Sequence, residues 1–577
     1  MKRKRAPNPT MAAVPHSGWT AGWTAKHIVI SGLAAAAIVF EIYSPSLHGP
    51  FLLDDLYLPF MHPDADRLPI QGWLGSRPLL MVSFWFNYQL SGVDPVSYHV
   101  GNVALHLVAG LIAFLLLRKL LELAGEPDRG RDLLAAFGAG WFLLHPLQTE
   151  AVAYVASRSD VLSTLLAYLA LLVFLRRQTQ PMGVAKAVLV LFLFVCAGLT
   201  KQHAVVLPAL FLLADYFWNP GFTLEGIRRN WKLHAPVMVG AVLGTALAFR
   251  MVRYDLSAGF RVREFTWYEY FFTQCRVFWL YIRLLILPAG QNADPEFAIS
   301  RSLADPGAAI GLAGIVVLLG LAWWFRKRFP LAAFGVLFFV ICLMPTSSFV
   351  PIRDPIAERR LYLPMLGFIL IVLDLGRRLP VKRNALAGGM TAVLLLLGWL
   401  TYSRAQVWSS AFALWEDTAA KSPRKVRPRF QLAYAYYQEQ RCAEASREFA
   451  HAARLDAPDT TLLVDWGLSL DCEGKLEQAL IPLQQAAGKE PSAHIHSTIG
   501  MVYAKLGRYQ EAMLALNRAQ AIDDAYSMTF VYRGNVLAAT GDWGKAKEQY
   551  QQALQRDQRN SVALQSLQLA ERQLQGR

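Results

Sequence analysis

The chain has 577 residues, 54% of them hydrophobic, and a formal net charge of +15. Its apolar residues gather into runs of about 16 to 22, long enough for a bilayer core of roughly 30 Å, which excludes an ordinary soluble enzyme. Nucleic acid is not implied by the charge, because many basic residues sit at the ends of apolar runs, where positive-inside topology and anionic headgroups account for them.

In chain order, the basic opening "MKRKRAPNP" belongs to a segment 1–26 expected in the cytoplasm. The first apolar run, 27–43, has no clear cleavage site and reads as a signal anchor. Further runs follow at 101–120, 133–146, 160–175, 185–200, 203–218, 233–251, 267–288, 307–325, 330–345, 361–376 and 386–403, which predicts an all-α polytopic bundle. Besides "MKRKR", the basic clusters "LLLRKL" (115–120), "FLRRQ" (174–178), "RKR" (326–328) and "RRLPVKR" (377–383) mark the cytoplasmic side. With the N-terminus and the last such loop both inside, the C-terminal part lies outside and the number of crossings is odd. One run is therefore not a full span, and about 11 spans are expected. The weakest is "EFTWYEYFFTQCRVFWLYIRLLILP", whose Glu264, Glu269, Arg276 and Arg283 suggest an interfacial helix; 133–146 is the other doubtful run. This divides the chain into a membrane domain 27–404 with an outer loop 44–99, a linker helix 405–424 and a soluble domain 425–577.

The soluble domain repeats. Ala433, Gly467, Gly500 and Gly534 are spaced by 34, 33 and 34 residues. Small residues recur twelve positions on (Ala445, Ala479, Ala512, Ala546) and nineteen on (Ala452, Ala486, Ala519, Ala553), with Phe449, Leu483, Leu516 and Tyr550 as the larger packing residues. This is the tetratricopeptide pattern, small where paired helices cross and large where they fill the gap. It predicts a solenoid of about four repeats with a capping helix near 561–575, presenting a groove for a protein or peptide. None of the five cysteines has CxxC spacing; Cys442 and Cys472, on neighbouring repeats, are placed to pair if that domain meets an oxidising compartment.

Five stretches carry chemistry, one of them "GSRPLLMVSFWFNYQLSGVDPVSYHVGNVALH" (75–106), which holds Arg77. The first outer loop holds "GPFLLDDLYLPF", with Asp54 and Asp55 among apolar residues. A partly desolvated carboxyl of this kind has a raised pKa and suits a general base. The connector "HPLQTEAVAYVASRSD" (145–160), "LTKQHAV" (199–205) and "PTSSFVPIRDPIAERRLYLP" (345–364) each place ionisable residues at the edge of an apolar segment, where they are costly unless they line a polar cavity. Arg77, Arg158, Lys201, Arg359 and Arg360 offer the donors that phosphate requires. An anionic ligand reaching such a site from the membrane is most simply a lipid phosphate.

"FLLDDLYLPF", "SRPL" with "NYQLSG" and "YHVGNVALH", "HPLQTEAVAYVASRSDVLS", "LTKQHAVVLPALFLLADYF", "AERRLYLP" and the attached repeats together resemble the transmembrane and tetratricopeptide-repeat O-mannosyltransferases and their bacterial relatives, members of the GT-C class. The resemblance implies a GT-C-like bundle that transfers a sugar, mannose or another hexose, from a polyprenyl phosphate with inversion. The acceptor would be a Ser or Thr hydroxyl of a protein on the outer or periplasmic face. Asp54 or Asp55 would be the base. His145, Glu150, Arg158 and Asp160 would shape the donor pocket, and Glu358, Arg359 and Tyr362 match a further family segment, with Arg359 the leading phosphate ligand. Where family members often have Lys-Glu, this chain has Lys201 and Gln202. The short array points to a bacterial relative in the plasma membrane. No obligatory metal is expected, although Asp54 and Asp55 could hold a divalent cation. Two rivals remain: the same fold acting on an envelope glycan or lipid, and a membrane-anchored repeat scaffold without activity.

Overall fold

In the computed structural model, residues 23–176, 181–252 and 258–575 are described; the cytoplasmic placement of 1–22 and the end of the 174–178 cluster lie outside them. The described residues form helices and turns with one isolated bridge, Ala258 to Ile352, and no strand. They divide into two compact units, one ending at Ser410 and the other beginning at Ala411.

The first unit has a helix at each of the twelve apolar runs: Ala25–Tyr43, Pro95–Leu123, Asp128–Leu144, Arg158–Leu175, Val184–Thr200, Leu207–Trp218, Trp231–Val252, Trp267–Ile286, Pro306–Trp324, Pro330–Leu343, Met365–Gly376 and Arg383–Val407. Five segments (Ala25–Ser46, Pro95–Leu123, Val155–Leu175, Pro306–Trp324 and Asn384–Val407) are long and apolar enough to cross a membrane by themselves, and four shorter apolar helices join them. The second helix starts six residues before its apolar run, because the Asp94 side chain accepts from Val96 N–H and Pro95 supplies a first-turn φ that suits a helix.

Between the first two long helices the connecting loop is folded. Short helices Leu53–Tyr57, Pro59–Met61 and Ile70–Leu74 and the longer Pro78–Ser91 pack around buried Phe60, Trp73, Phe84 and Tyr98. The Phe60 and Tyr98 rings lie 4.6 Å apart. Each buried aromatic contributes about 2 to 3 kcal/mol by area, so the loop carries its own core and can fix a side chain in place.

The helix Trp267–Ile286 touches connectors along its whole length. Tyr270 O–H donates to Thr346 O (2.6 Å), Gln274 Nε2–H to Pro355 O (2.9 Å), and the Tyr281 hydroxyl lies 3.2 Å from Ala357 O. Leu285 O accepts from His145 Nε2–H at 3.2 Å.

The second unit begins with Ala411–Lys421, so the expected linker helix 405–424 is two pieces, the last turn of Arg383–Val407 and this separate helix. Four antiparallel pairs follow, Val426–Gln438 with Cys442–Leu455, Thr460–Cys472 with Leu476–Lys489, Ala493–Lys505 with Tyr509–Ile522, and Ser527–Ala539 with Trp543–Arg556, and Ser561–Gln575 closes the stack. A Cβ on Gly467, Gly500 or Gly534 would come within 2.4–2.7 Å of Leu483, Leu516 or Tyr550, which is why these crossing positions are glycine. Cys442 and Cys472 form a disulfide with Cα atoms 5.7 Å apart, within the ordinary range.

Candidate active site

The residues at the start of the outer loop are held by a connector about a hundred positions away. Asp55 is buried, and its two carboxylate oxygens accept from Leu52 N–H (3.0 Å) and Ala156 N–H (2.7 Å). Burial pushes its carboxyl up to about 7 against the opposing effect of those donors. Asp54 is exposed; its N–H donates to the Tyr154 hydroxyl at 2.9 Å, and among the described residues nothing bonds to its carboxylate. Leu53, just before it, has φ +52°, a left-handed conformation that costs a non-glycine residue about 1 kcal/mol or more and persists where its neighbours impose it. Asp55 is thus the anchor of the turn and Asp54 the group it presents.

Three connectors bring charge to the same end of the unit. Glu150 is buried and accepts from both the backbone N–H (3.1 Å) and the guanidinium of Arg359. The Arg359 guanidinium also lies 5.7 Å from the Tyr154 ring centroid, and that ring stacks on Trp408 at 6.1 Å. Asp160, also buried, holds Lys201 Nζ at 2.5 Å and lies 3.9 Å from His203 Nδ1. The His203 Nε2 is buried without a partner among the described residues. Arg77 caps the helix Pro78–Ser91, and among the described residues its guanidinium makes no hydrogen bond or ion pair. Burial lowers its proton affinity, while Asp160 and Asp54 act in the opposite sense and Arg359 adds to the lowering, which places these four charges in one neighbourhood.

The other expected site residues are engaged elsewhere. Arg158 is buried, donating to Asn102 Oδ1 (2.6 Å), Asn87 Oδ1 (2.6 Å), Ser83 O (3.2 Å) and Tyr98 O (2.9 Å), with Phe84 under its face at 4.5 Å. It ties the helix Pro78–Ser91 to the bundle, and a Cβ on Gly101 would meet its Nη2 at 3.1 Å. His145 accepts from Leu147 N–H on Nδ1 (3.2 Å), so Nε2 carries the proton given to Leu285 O. Glu358 accepts from Asn292 N–H (2.7 Å) and Gln291 Nε2–H (2.8 Å), and burial pushes it up to about 7. Arg360 donates to Pro355 O and Asp354 O, closing its own loop, and the Tyr362 hydroxyl pairs with His106 Nδ1 at 2.7 Å. These five side chains position connectors; Asp54, Arg77, Glu150, Asp160, Lys201 and Arg359 form the charged group.

Sequence reasoning missed His203 and Tyr154. The signal for both was present: His203 stands two residues after Lys201 in a polar break between apolar helices, and Tyr154 is the one large aromatic of the 145–160 connector. Among the described residues no group of three or more His, Cys, Asp and Glu side chains is arranged to hold a metal ion.

The tetratricopeptide-repeat family matches residues 493–526. A protein O-mannosyl-transferase of Caenorhabditis elegans is 25% identical over 388 residues, covering 66% of this chain and 54% of that protein. Protein O-mannosyl-transferase TMTC3 of Mus musculus is 23% identical over 545 residues, covering 84% and 57%. Protein O-mannosyl-transferase Tmtc1 of Drosophila melanogaster is 33% identical over 210 residues, covering 33% and 23%. The chain spans about half the length of the first two relatives. It combines several apolar helices long enough to cross a membrane with a repeat solenoid, and it is homologous to eukaryotic protein O-mannosyl-transferases.

Proposed function

We propose that the chain is a polyprenyl-phosphate-sugar-dependent glycosyltransferase that moves a hexose to a Ser or Thr hydroxyl of a protein on the outer face of the membrane. One observation carries this reading: two adjacent carboxyls are split, Asp55 tied to two backbone N–H groups and Asp54 left exposed in the neighbourhood of the Arg77 and Arg359 cations. A general base must reach the proton it takes, so geometry favours the exposed Asp54 over Asp55, which is buried and holds two backbone N–H groups. In an inverting transfer, Asp54 accepts the acceptor hydroxyl's proton as its oxygen bonds to the anomeric carbon and the bond to the lipid phosphate breaks. Arg77 and Arg359 stabilise the phosphate charge that develops, and Lys201, held by Asp160, adds a point charge. Phosphate neutralised by arginines leaves no obligatory role for a metal.

Topology supports an outer site. We take Trp267–Ile286 to lie in the interface and count eleven crossings; its contacts with connectors at both of its ends support that reading. That odd number puts the repeats on the same side as Asp54, in agreement with the Cys442–Cys472 disulfide, which belongs to oxidising compartments. The animal relatives give the bacterial setting no support, and the proposal keeps the outer face without the bacterium.

Glycopeptide mass spectrometry of membrane and exported proteins, with and without the chain, tests the proposal. A hexose increment on Ser or Thr that depends on the chain supports it. An unchanged glycoproteome with an altered glycan or lipid profile moves the acceptor to those molecules, and no change in any of them leaves the scaffold.

A further inference from the structure

The first helices of the repeats carry a connected row of tyrosines and acids. Tyr434 and Tyr437 lie on Val426–Gln438, Asp465 and Asp471 on Thr460–Cys472, Lys505 on Ala493–Lys505 and Tyr532 on Ser527–Ala539, with Tyr526 just before the last. Burial raises the Tyr437 hydroxyl, and Asp471, Asp465 and Tyr434 act on it; Tyr532 is raised by burial and feels Tyr526, Asp471 and Tyr437. These side chains therefore neighbour one another across all four repeats, on the kind of extended surface that stacked repeats present. Tyr434 is 41% exposed and Tyr437 half-buried, so the row is open to solvent.

Its charges are not equivalent. Asp471 is neutralised by Lys505 Nζ at 2.6 Å, and Asp459 caps its helix by accepting from Leu462 N–H at 2.8 Å. Asp465 is half-buried, and among the described residues no hydrogen bond or ion pair meets its carboxylate. Burial, and then the Asp459 charge, push it up to about 6. A half-buried carboxylate without a partner, close enough to Tyr437 to act on its hydroxyl, is costly as it stands and becomes favourable when a cation joins it.

We propose that this surface binds an extended polypeptide segment carrying a Lys or Arg side chain, with the cation on Asp465 and its hydrocarbon stem along Tyr434 and Tyr437. The cation supplies the charge that Asp465 lacks, and the rings accept both the stem and the positive head. Tyr532 and Tyr526 take the continuation of the segment. This inference concerns binding and stands apart from sugar transfer.

The test uses the full chain in lipid nanodiscs and phage-displayed random dodecapeptides, with selected peptides resynthesised and titrated by fluorescence anisotropy. The expected result is a consensus with Lys or Arg at one fixed position. Replacing that residue by Ala weakens binding at least tenfold; Asp465→Asn does the same, and the two losses are not additive. Because Asp465 holds no bond in the fold, Asp465→Asn leaves the thermal midpoint in place. A selection without a basic position, no selection at all, or equal affinity in Asp465→Asn overturns the proposal.

Discussion

The two ends of the membrane unit use charge differently. At the end that holds Asp374, three acids are matched: Asp132 meets Arg118 and Arg131, Glu126 meets Arg377 at 3.2 Å, and Asp374 meets Arg377 at 2.8 Å and Arg378 at 3.2 Å while accepting from Ala332 N–H. At the end that holds Asp54, the acids Asp55, Glu150, Asp160 and Glu358 are matched as well, yet Asp54, Arg77 and His203 Nε2 are left over among the described residues. Matched charges tie helices and connectors together. The unmatched groups form no bond or ion pair that ties the fold together, and Arg77 has both Asp54 and His203 in its neighbourhood.

The comparison breaks most sharply at Asp54. Asp54→Asn is expected to lower transfer by roughly 10²- to 10⁴-fold, the range for loss of a general base, with the thermal midpoint unmoved. At the opposite end Asp374→Asn is expected to do the reverse: removing one partner from a buried ion pair costs about 3 to 5 kcal/mol, read by denaturant unfolding, while donor KM in the folded fraction stays the same. Arg77→Gln sharpens the contrast on the substrate side. Loss of a charge-assisted bond worth about 1.5 to 3 kcal/mol raises donor KM roughly ten- to a hundredfold, with little change in stability, in a donor titration.

The smallest effect is on pH. Asp55 and Glu358 sit near 7 in the folded chain, above the ordinary carboxylate range, because burial favours their protonated forms. Between about pH 4 and 7 the folded state therefore binds protons that the unfolded state has released, so stability falls as pH rises across that window. Their contribution is fully present below the ordinary carboxylate pKa and lost once pH passes 7. Thermal midpoints measured from pH 4 to 8 are expected to decline, and Asp55→Asn to flatten the slope.

Apolar runs and basic flanks were enough to locate twelve helices, because a bilayer demands long apolar stretches whatever the tertiary contacts. The period of small residues located the four repeat pairs. Side-chain roles at the site were less legible, since they depend on distant partners. Nothing near Arg158 in sequence shows that Asn87 and Asn102 will take its donors, and its charge alone suggested phosphate. Asp54 and Asp55 are indistinguishable in "LLDDLY"; Ala156 N–H, a hundred residues on, separates them. The family segment singled out Arg359 for phosphate; only the structure shows that Glu150 occupies part of its guanidinium while that of Arg77 makes no hydrogen bond or ion pair among the described residues.

The most direct measurement is hexose occupancy of Ser and Thr sites, by glycopeptide mass spectrometry, in cells producing Asp54→Asn at the level of the unaltered chain. Loss of the increment with the protein still folded is the predicted result. Full occupancy in that variant would contradict the assignment of Asp54 as the base and, with it, the division of the outer end into anchoring and reacting charges.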